Sequence, residues 1–190
     1  MGVKVIAGQA RGRRLRVPAG GRTRPTSGLV RGALFNMLEH RCWLRGAVAL
    51  DLFAGSGALG IEALSRGADR VLFVEAAPTA VRALRENLAH SGVADRAEVL
   101  PLAVPRALRT LARRGAVVDG VIADPPYGTG WVQRTVDAVH AAGVLAPGGW
   151  IAIEHRPDEM PRPTGELVVV QTRRHGGTAL TLLAHREDAA

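Results

Sequence analysis

The chain alternates short apolar runs with longer stretches in which apolar residues return every three or four positions. The runs at 47–53 (AVALDLF), 70–75 (RVLFVE), 97–102 (AEVLPL) and 117–124 (VVDGVIAD) have the length and density of buried parallel strands. Between them, a stretch ending near Arg66 and those at 78–90, 105–114 and 131–142 carry helical spacing. Val81, Leu84 and Leu88 fall on one helix face, and Val132, Val136 and Val139 on another. LAPGGWIAIE predicts a Pro-Gly-Gly turn entering a fifth strand, and ELVVVQT and TALTLLA, joined by RRHGG, predict a closing hairpin. Ahead of all this, residues 3–7 and 13–17 predict two short strands around the turn GQARG. Residues 18–28 then predict a loop, and a helix capped by Thr26 or Ser27 follows, with Val30, Leu34, Met37 and Leu38 as its apolar stripe. Strands and helices in this alternation imply an α/β doubly wound, mostly parallel sheet, into which the closing hairpin inserts one antiparallel strand.

Composition adds limits. The 190 residues suit one domain with a small appendage, and no segment approaches the ~20 apolar residues of a membrane span. The N-terminus lacks the charged, apolar and small-residue succession of a signal peptide, and Cys42 is the sole cysteine. Both favour a cytoplasmic protein without disulfides. Six histidines are scattered with no metal-ligand spacing, so no metal is expected. Charge divides the chain: residues 1–46 hold ten basic groups and one acid, whereas 47–190 are nearly balanced. The division predicts a basic extension (1–46) on an ordinary globular domain (47–190), with a polyanion, most plausibly nucleic acid, as partner.

The stretch DLFAGSGALG contains a G-x-G-x-x-G at Gly55–Gly60, which fits a dinucleotide or another adenosine ligand. Glu75, ending the next strand, can accept both hydroxyls of a ribose. Asp51 separates the possibilities, because a fixed carboxylate beside the loop repels a pyrophosphate and suits a ligand bearing an ammonium group, such as S-adenosylmethionine. The segment D-L-F-A-G-S-G also resembles the first motif of Rossmann-like methyltransferases.

The fourth strand ends in ADPPYG. Pro125 and Pro126 stiffen an extended turn and donate no N–H, which leaves carbonyls and the Asp124 carboxylate as acceptors beside the flat face of Tyr127. Acceptors next to an aromatic ring suit an exocyclic amino group on a nucleobase. Asp-Pro-Pro-Tyr resembles the fourth motif of methyltransferases that act on adenine N6, cytosine N4 or guanine N2.

KVIAGQARGRRLRVP followed by RTRPTSGLVRGALFNML strongly resembles the N-terminal region of the bacterial RsmD-type methyltransferases, and the order of motifs agrees along nearly the whole chain. Arg24, Pro25, Thr26, Arg31, Phe35 and Asn36 match that pattern. Gly28 and Leu29 stand where an acid and an Arg are usual, and Gly32 or Ala33 replaces a glutamate. The resemblance implies a Rossmann-like class I methyltransferase with a mostly parallel seven-stranded sheet. It implies S-adenosylmethionine as donor, guanine N2 of 16S ribosomal RNA as target and the small ribosomal subunit as partner; apart from the resemblance, a monomer is expected. Asp51, Phe53, Ala54, Gly55, Ser56, Gly57, Glu75 and Thr26 would hold the cofactor, and Asp124, Pro125, Pro126 and Tyr127 would form the catalytic loop. Arg11, Arg13, Arg14, Arg16, Arg22, Arg24 and Arg31 would bind RNA phosphates, by charge and without sequence code. At Leu102, Ala103 and Val104, where many methyltransferases place an acid or Asn, adenine recognition would rest on backbone and apolar packing. Three other readings stay open. A DNA adenine-N6 methyltransferase shares the D-P-P-Y but has little room here for a sequence-reading domain. A non-catalytic RNA-binding module that senses the cofactor would not need Asp124 and Tyr127. A small-molecule methyltransferase would leave the basic extension unexplained.

Overall fold

The computed structural model describes residues 3–17 and 27–186. Strands β3 (Val48–Leu52), β4 (Arg70–Val74), β5 (Ala97–Leu100), β6 (Val118–Ala123) and β7 (Leu145–His155) run parallel. With β8 (Leu167–His175) and β9 (Thr178–His185) they form a seven-stranded sheet in the order β5-β4-β3-β6-β7-β9-β8. Only β9 opposes its neighbours, pairing antiparallel with both β7 and β8.

The period-2 alternation of strand side chains sorts the core into two layers. Ala49, Val71, Phe73, Ile122, Trp150 and Ala152 pack with α1 (Gly28–His40), α2 (Ala58–Ser65) and α3 (Pro78–Ser91). Leu50, Leu72, Val74, Val121, Ile151 and Ile153 pack with α4 (Val104–Arg113) and α5 (Trp131–Ala142) on the opposite face. Ser27, not Thr26, caps α1, its side chain accepting from the Val30 N–H at 3.2 Å.

Three segments differ from the pattern of the sequence, each for a local reason. The N-terminal hairpin pairs β1 (Val3–Lys4) with β2 (Arg14–Leu15) over two residues each, not five. Beyond Lys4 the backbone turns to α2: the Ile6 and Ala7 N–H groups donate to the Glu62 carboxylate at 2.7 and 3.0 Å, and the Gln9 N–H donates to the Ser65 carbonyl. The Pro-Gly-Gly stretch is not a turn before the fifth strand but lies inside β7. Its register shift against β6 brings the Trp150 ring over Gly120, where a Cβ would stand 2.2 Å from the ring. In the closing hairpin, Arg173, Arg174 and His175 belong to β8, leaving Gly176 (φ 61°) and Gly177 as a two-residue turn.

Candidate active site

The strand order reverses between β3 and β6, and ligands of doubly wound sheets bind outside the strand ends at such a point. Leu52 pairs with Ala123, so the glycine loop after β3 and the D-P-P-Y loop after β6 leave the sheet side by side.

The glycine loop is held from three sides. Phe53 adopts a left-handed conformation (φ 62°), a costly one for an aromatic residue, and it turns the chain out of the sheet. The Gly55 N–H donates to Glu75 Oε2 at 2.8 Å, and the Ser56 carbonyl accepts from Asn87 Nδ2 at 2.8 Å. Gly57 (φ 81°) precedes α2, with Leu84 2.3 Å from where a Cβ would stand; Ala54 is packed into the core beneath. The loop admits no side chain at Gly57 for both reasons.

Asp51 lies behind the loop and is 1% exposed. Its Oδ2 accepts from the Gly60 N–H at 2.9 Å, while Oδ1 has no partner among the described residues. Burial pushes its pKa up to about 8, against the Gly60 hydrogen bond; the charges of Asp124 and Glu75 push the same way as burial. Glu75 Oε1 accepts from the Ala77 N–H, so its carboxylate is fixed by two backbone donors with lone pairs to spare. Beside it a cavity of about 290 Å³ is walled by Phe53, Val74, Ala76, Leu102, Ala103, Val104, Pro105 and Trp131. The Phe53 and Trp131 rings meet edge to face at 5.6 Å. An orphaned buried carboxylate oxygen, a fixed rim carboxylate and an apolar slot fit the ammonium, ribose and adenine of S-adenosylmethionine in turn.

On the other side of the reversal, Asp124 is half-buried, Pro125 buried and Pro126 half-buried. The Pro126 carbonyl accepts from Thr129 Oγ1 at 2.6 Å. The Gly128 N–H donates to Glu159, which braces the turn from the loop after β7. Tyr127 is 40% exposed, an unusual surface for a ring held so firmly. Its hydroxyl donates to Glu154 Oε1 at 2.6 Å, and Thr178 also reaches it. Burial and the Glu154 carboxylate raise the phenol pKa, so Tyr127 stays a neutral donor with one face open. Glu154 was not anticipated; its signal was an acid closing an apolar strand, as Asp51, Glu75 and Asp124 do.

The expected RNA-binding arginines separate into three groups. Arg11, Arg13 and Arg14 are exposed on the hairpin, and Arg16 is exposed but paired with Glu86 at 2.9 Å. A cavity of about 520 Å³ between Arg14, Arg16, Glu86, Asn87 and His90 lies along α3. Arg31 is a correction: it is 2% exposed, bonded to the Lys4 carbonyl, with Nε 3.6 Å from Glu62. Burial lowers its pKa while Glu62 opposes the shift. A guanidinium so enclosed cannot reach a phosphate; it ties β1 to α1 and α2. Arg22, Arg24 and Thr26 lie outside the described residues. Among the described residues no cluster of metal-ligating side chains exists, and no helix is long and apolar enough to cross a membrane.

This strand order, with an acid-backed glycine loop next to D-P-P-Y, defines a Rossmann-like methyltransferase. The chain belongs to the family described as conserved hypothetical protein 95, the RsmD family, whose model matches residues 3–184. It is 35% identical to YlbH of Bacillus subtilis over 185 residues, 97% of this chain and 100% of that one. It is 38% identical to ribosomal RNA small subunit methyltransferase D of Escherichia coli over 152 residues, covering 80% of this chain and 74% of that one. The solved structure of yhhF from Escherichia coli superposes with a TM-score of 0.84 at 33% identity, covering 97% of this chain and 98% of that one.

Proposed function

We propose that this protein transfers a methyl group from S-adenosylmethionine to the exocyclic N2 amine of a guanine in 16S ribosomal RNA, within an assembled or partly assembled small subunit. One observation carries the reading: the Leu52–Ala123 pairing sets the acid-backed glycine loop directly beside the D-P-P-Y loop with its acceptors and exposed aromatic ring. The small-subunit RNA methyltransferase named above, similar over four-fifths of this chain, supports the RNA substrate. The reading places the protein in the cytoplasm, acting as a monomer.

When bound, the cofactor supplies a methyl group on a positively charged sulfur. Asp51 Oδ1 receives the ammonium, the Glu75 carboxylate accepts from the ribose hydroxyls, and the Phe53–Trp131 slot excludes water from the adenine. Asp124 and the Pro125 carbonyl accept the two N–H bonds of the guanine amine, which aims its nitrogen lone pair across the reversal. Tyr127, fixed through its hydroxyl by Glu154, presents its ring for stacking on the base. Asp124 or solvent takes the proton released. Positioning supplies most of the rate, and the base must be unstacked or single-stranded to enter.

The test offers labelled S-adenosylmethionine with unmodified small subunits, naked 16S RNA and genomic DNA, followed by nucleoside mass spectrometry. N2-methylguanosine from the subunit is expected. N6-methyladenine from DNA, or no transfer while cofactor still binds, would overturn the proposal.

A further inference from the structure

The N-terminal hairpin leaves one side of the active-site mouth without a basic flank. Its turn docks on Ser65, the last residue of α2, while the glycine loop precedes the first residue of that helix. The hairpin's second strand comes closer, because Asn87 Nδ2 donates to both the Arg16 and the Ser56 carbonyls, at 2.9 and 2.8 Å, so the hairpin flanks the mouth on the glycine-loop side. At the other side of the mouth stands the β8–β9 hairpin, whose connection the sequence presents only as a turn.

Sheet register shows what that hairpin carries. Glu154 pairs with Leu180, and Leu180 with Arg173, so the three form one cross-strand row projecting to one face. Two strand spacings, roughly 10 Å, separate the Glu154 and Arg173 backbones. Glu154 holds the Tyr127 hydroxyl, and Thr178, which also reaches it, pairs with His175. Arg173 and His175 thus share a face with the ring proposed to stack on the target base. Arg174, one residue along, projects from the opposite face of the same exposed tip.

The charge of Arg173 and Arg174 is not neutralised among the described residues, in contrast to several exposed arginines elsewhere on the molecule. Arg16, Arg70, Arg114 and Arg156 each pair with a carboxylate. Arg173 and Arg174 have no ion pair among the described residues. Gln171, two residues back on the same face, can turn its amide oxygen to Arg173 Nε at 3.0 Å, steadying the guanidinium without neutralising it. His175 Nε2 is buried with no partner among the described residues. Gly176 and Gly177 at the turn have open space where a Cβ would stand, so a sugar-phosphate chain can pass close to the backbone.

We propose that the tip of the β8–β9 hairpin, through Arg173 and Arg174, is a second RNA-contact surface that grips the phosphates flanking the target nucleotide. The contact is electrostatic and carries no sequence code. It holds the strand on the far side of Tyr127 from the N-terminal hairpin, so the base enters from a backbone anchored at two sides. The inference rests on the RNA reading proposed above.

The test measures binding of the full chain to a 16S RNA transcript between about 50 and 200 mM salt, independently of turnover. R173A/R174A is expected to weaken binding by about tenfold at the lower salt and to reduce the slope of log affinity against log salt by about 1.4, the value for two contacts to a single strand. R70A/R114A removes the same charge from a site remote from the mouth, with the slope expected to hold. Melting temperature and S-adenosylhomocysteine affinity report that each variant folds. An unchanged slope in R173A/R174A, with RNA bound and methylated by the parent protein, overturns this inference alone. An equal loss in both variants reduces it to bulk charge and overturns it too. A parent protein that binds RNA and shows the expected slope change, but methylates none, overturns the catalytic reading and leaves the surface standing. A parent protein that binds no RNA overturns both.

Discussion

Asp51 shows how much one buried carboxylate can decide. Its folded pKa, pushed up to about 8, lies above the ordinary value near 4, so the folded state holds the extra proton. Stability therefore falls as pH rises between those two values, and Asp51→Asn is expected to flatten that part of a melting-temperature profile. A cationic ligand on Oδ1 reverses the preference, so cofactor affinity should climb with pH up to about 8, at most roughly tenfold per unit, and stay flat in the Asn variant; calorimetry at several pH values checks this. Asp124→Ala is expected to abolish methylation while cofactor affinity stays within a few-fold. A hundredfold loss of that affinity would move Asp124 into the cofactor site. For Tyr127, the Glu154 contact makes orientation separable from presence. Glu154→Ala should lower kcat in the parent but add little on a Tyr127→Phe background, where the hydroxyl it holds is gone.

At the scale of elements, Glu62 on α2 is the joint between the N-terminal hairpin and the sheet. Its carboxylate is fully buried and receives two hairpin N–H groups, the Arg66 guanidinium at 2.8 Å and the nearby charge of Arg31. Replacing it with Ala strands the buried Arg31, leaves Arg66 with Glu39 alone, and should cost about 3–5 kcal/mol in denaturant unfolding. Replacing it with Gln retains acceptors for one or two N–H groups and should cost less. The same joint explains why the hairpin strands are shorter than their alternating pattern: helix side chains take the backbone donors that a ladder would have used. Gly120 offers a second check, since Ala there drives a Cβ into the buried Trp150 ring and should destabilise by about 1–3 kcal/mol.

At the scale of the whole molecule, basic groups lie on two hairpins at opposite sides of the mouth. Converting Arg11, Arg13 and Arg14 to Ala should weaken RNA binding and lower its salt dependence while leaving melting temperature and cofactor affinity unchanged, because all three are exposed and unpaired among the described residues. The alternation of apolar runs and amphipathic stretches determined the parallel sheet, and the acids closing three runs, with DLFAGSG and DPPY, determined the two loops of the site. These were legible because strand burial and tight turns restrict residue type locally. Arg31 reads in sequence as one more basic residue, and only its burial beside Glu62 removes it from the RNA-binding set. Glu154 and Tyr127 are 27 residues apart, and only β6–β7 pairing brings them to 2.6 Å. RRHGG carries the composition of a turn, yet cross-strand register makes three of its residues part of an edge strand beside the active face. Local sequence specifies which elements form; which side chains share a face, and which charges lose their solvent, depends on partners far along the chain and is decided by packing.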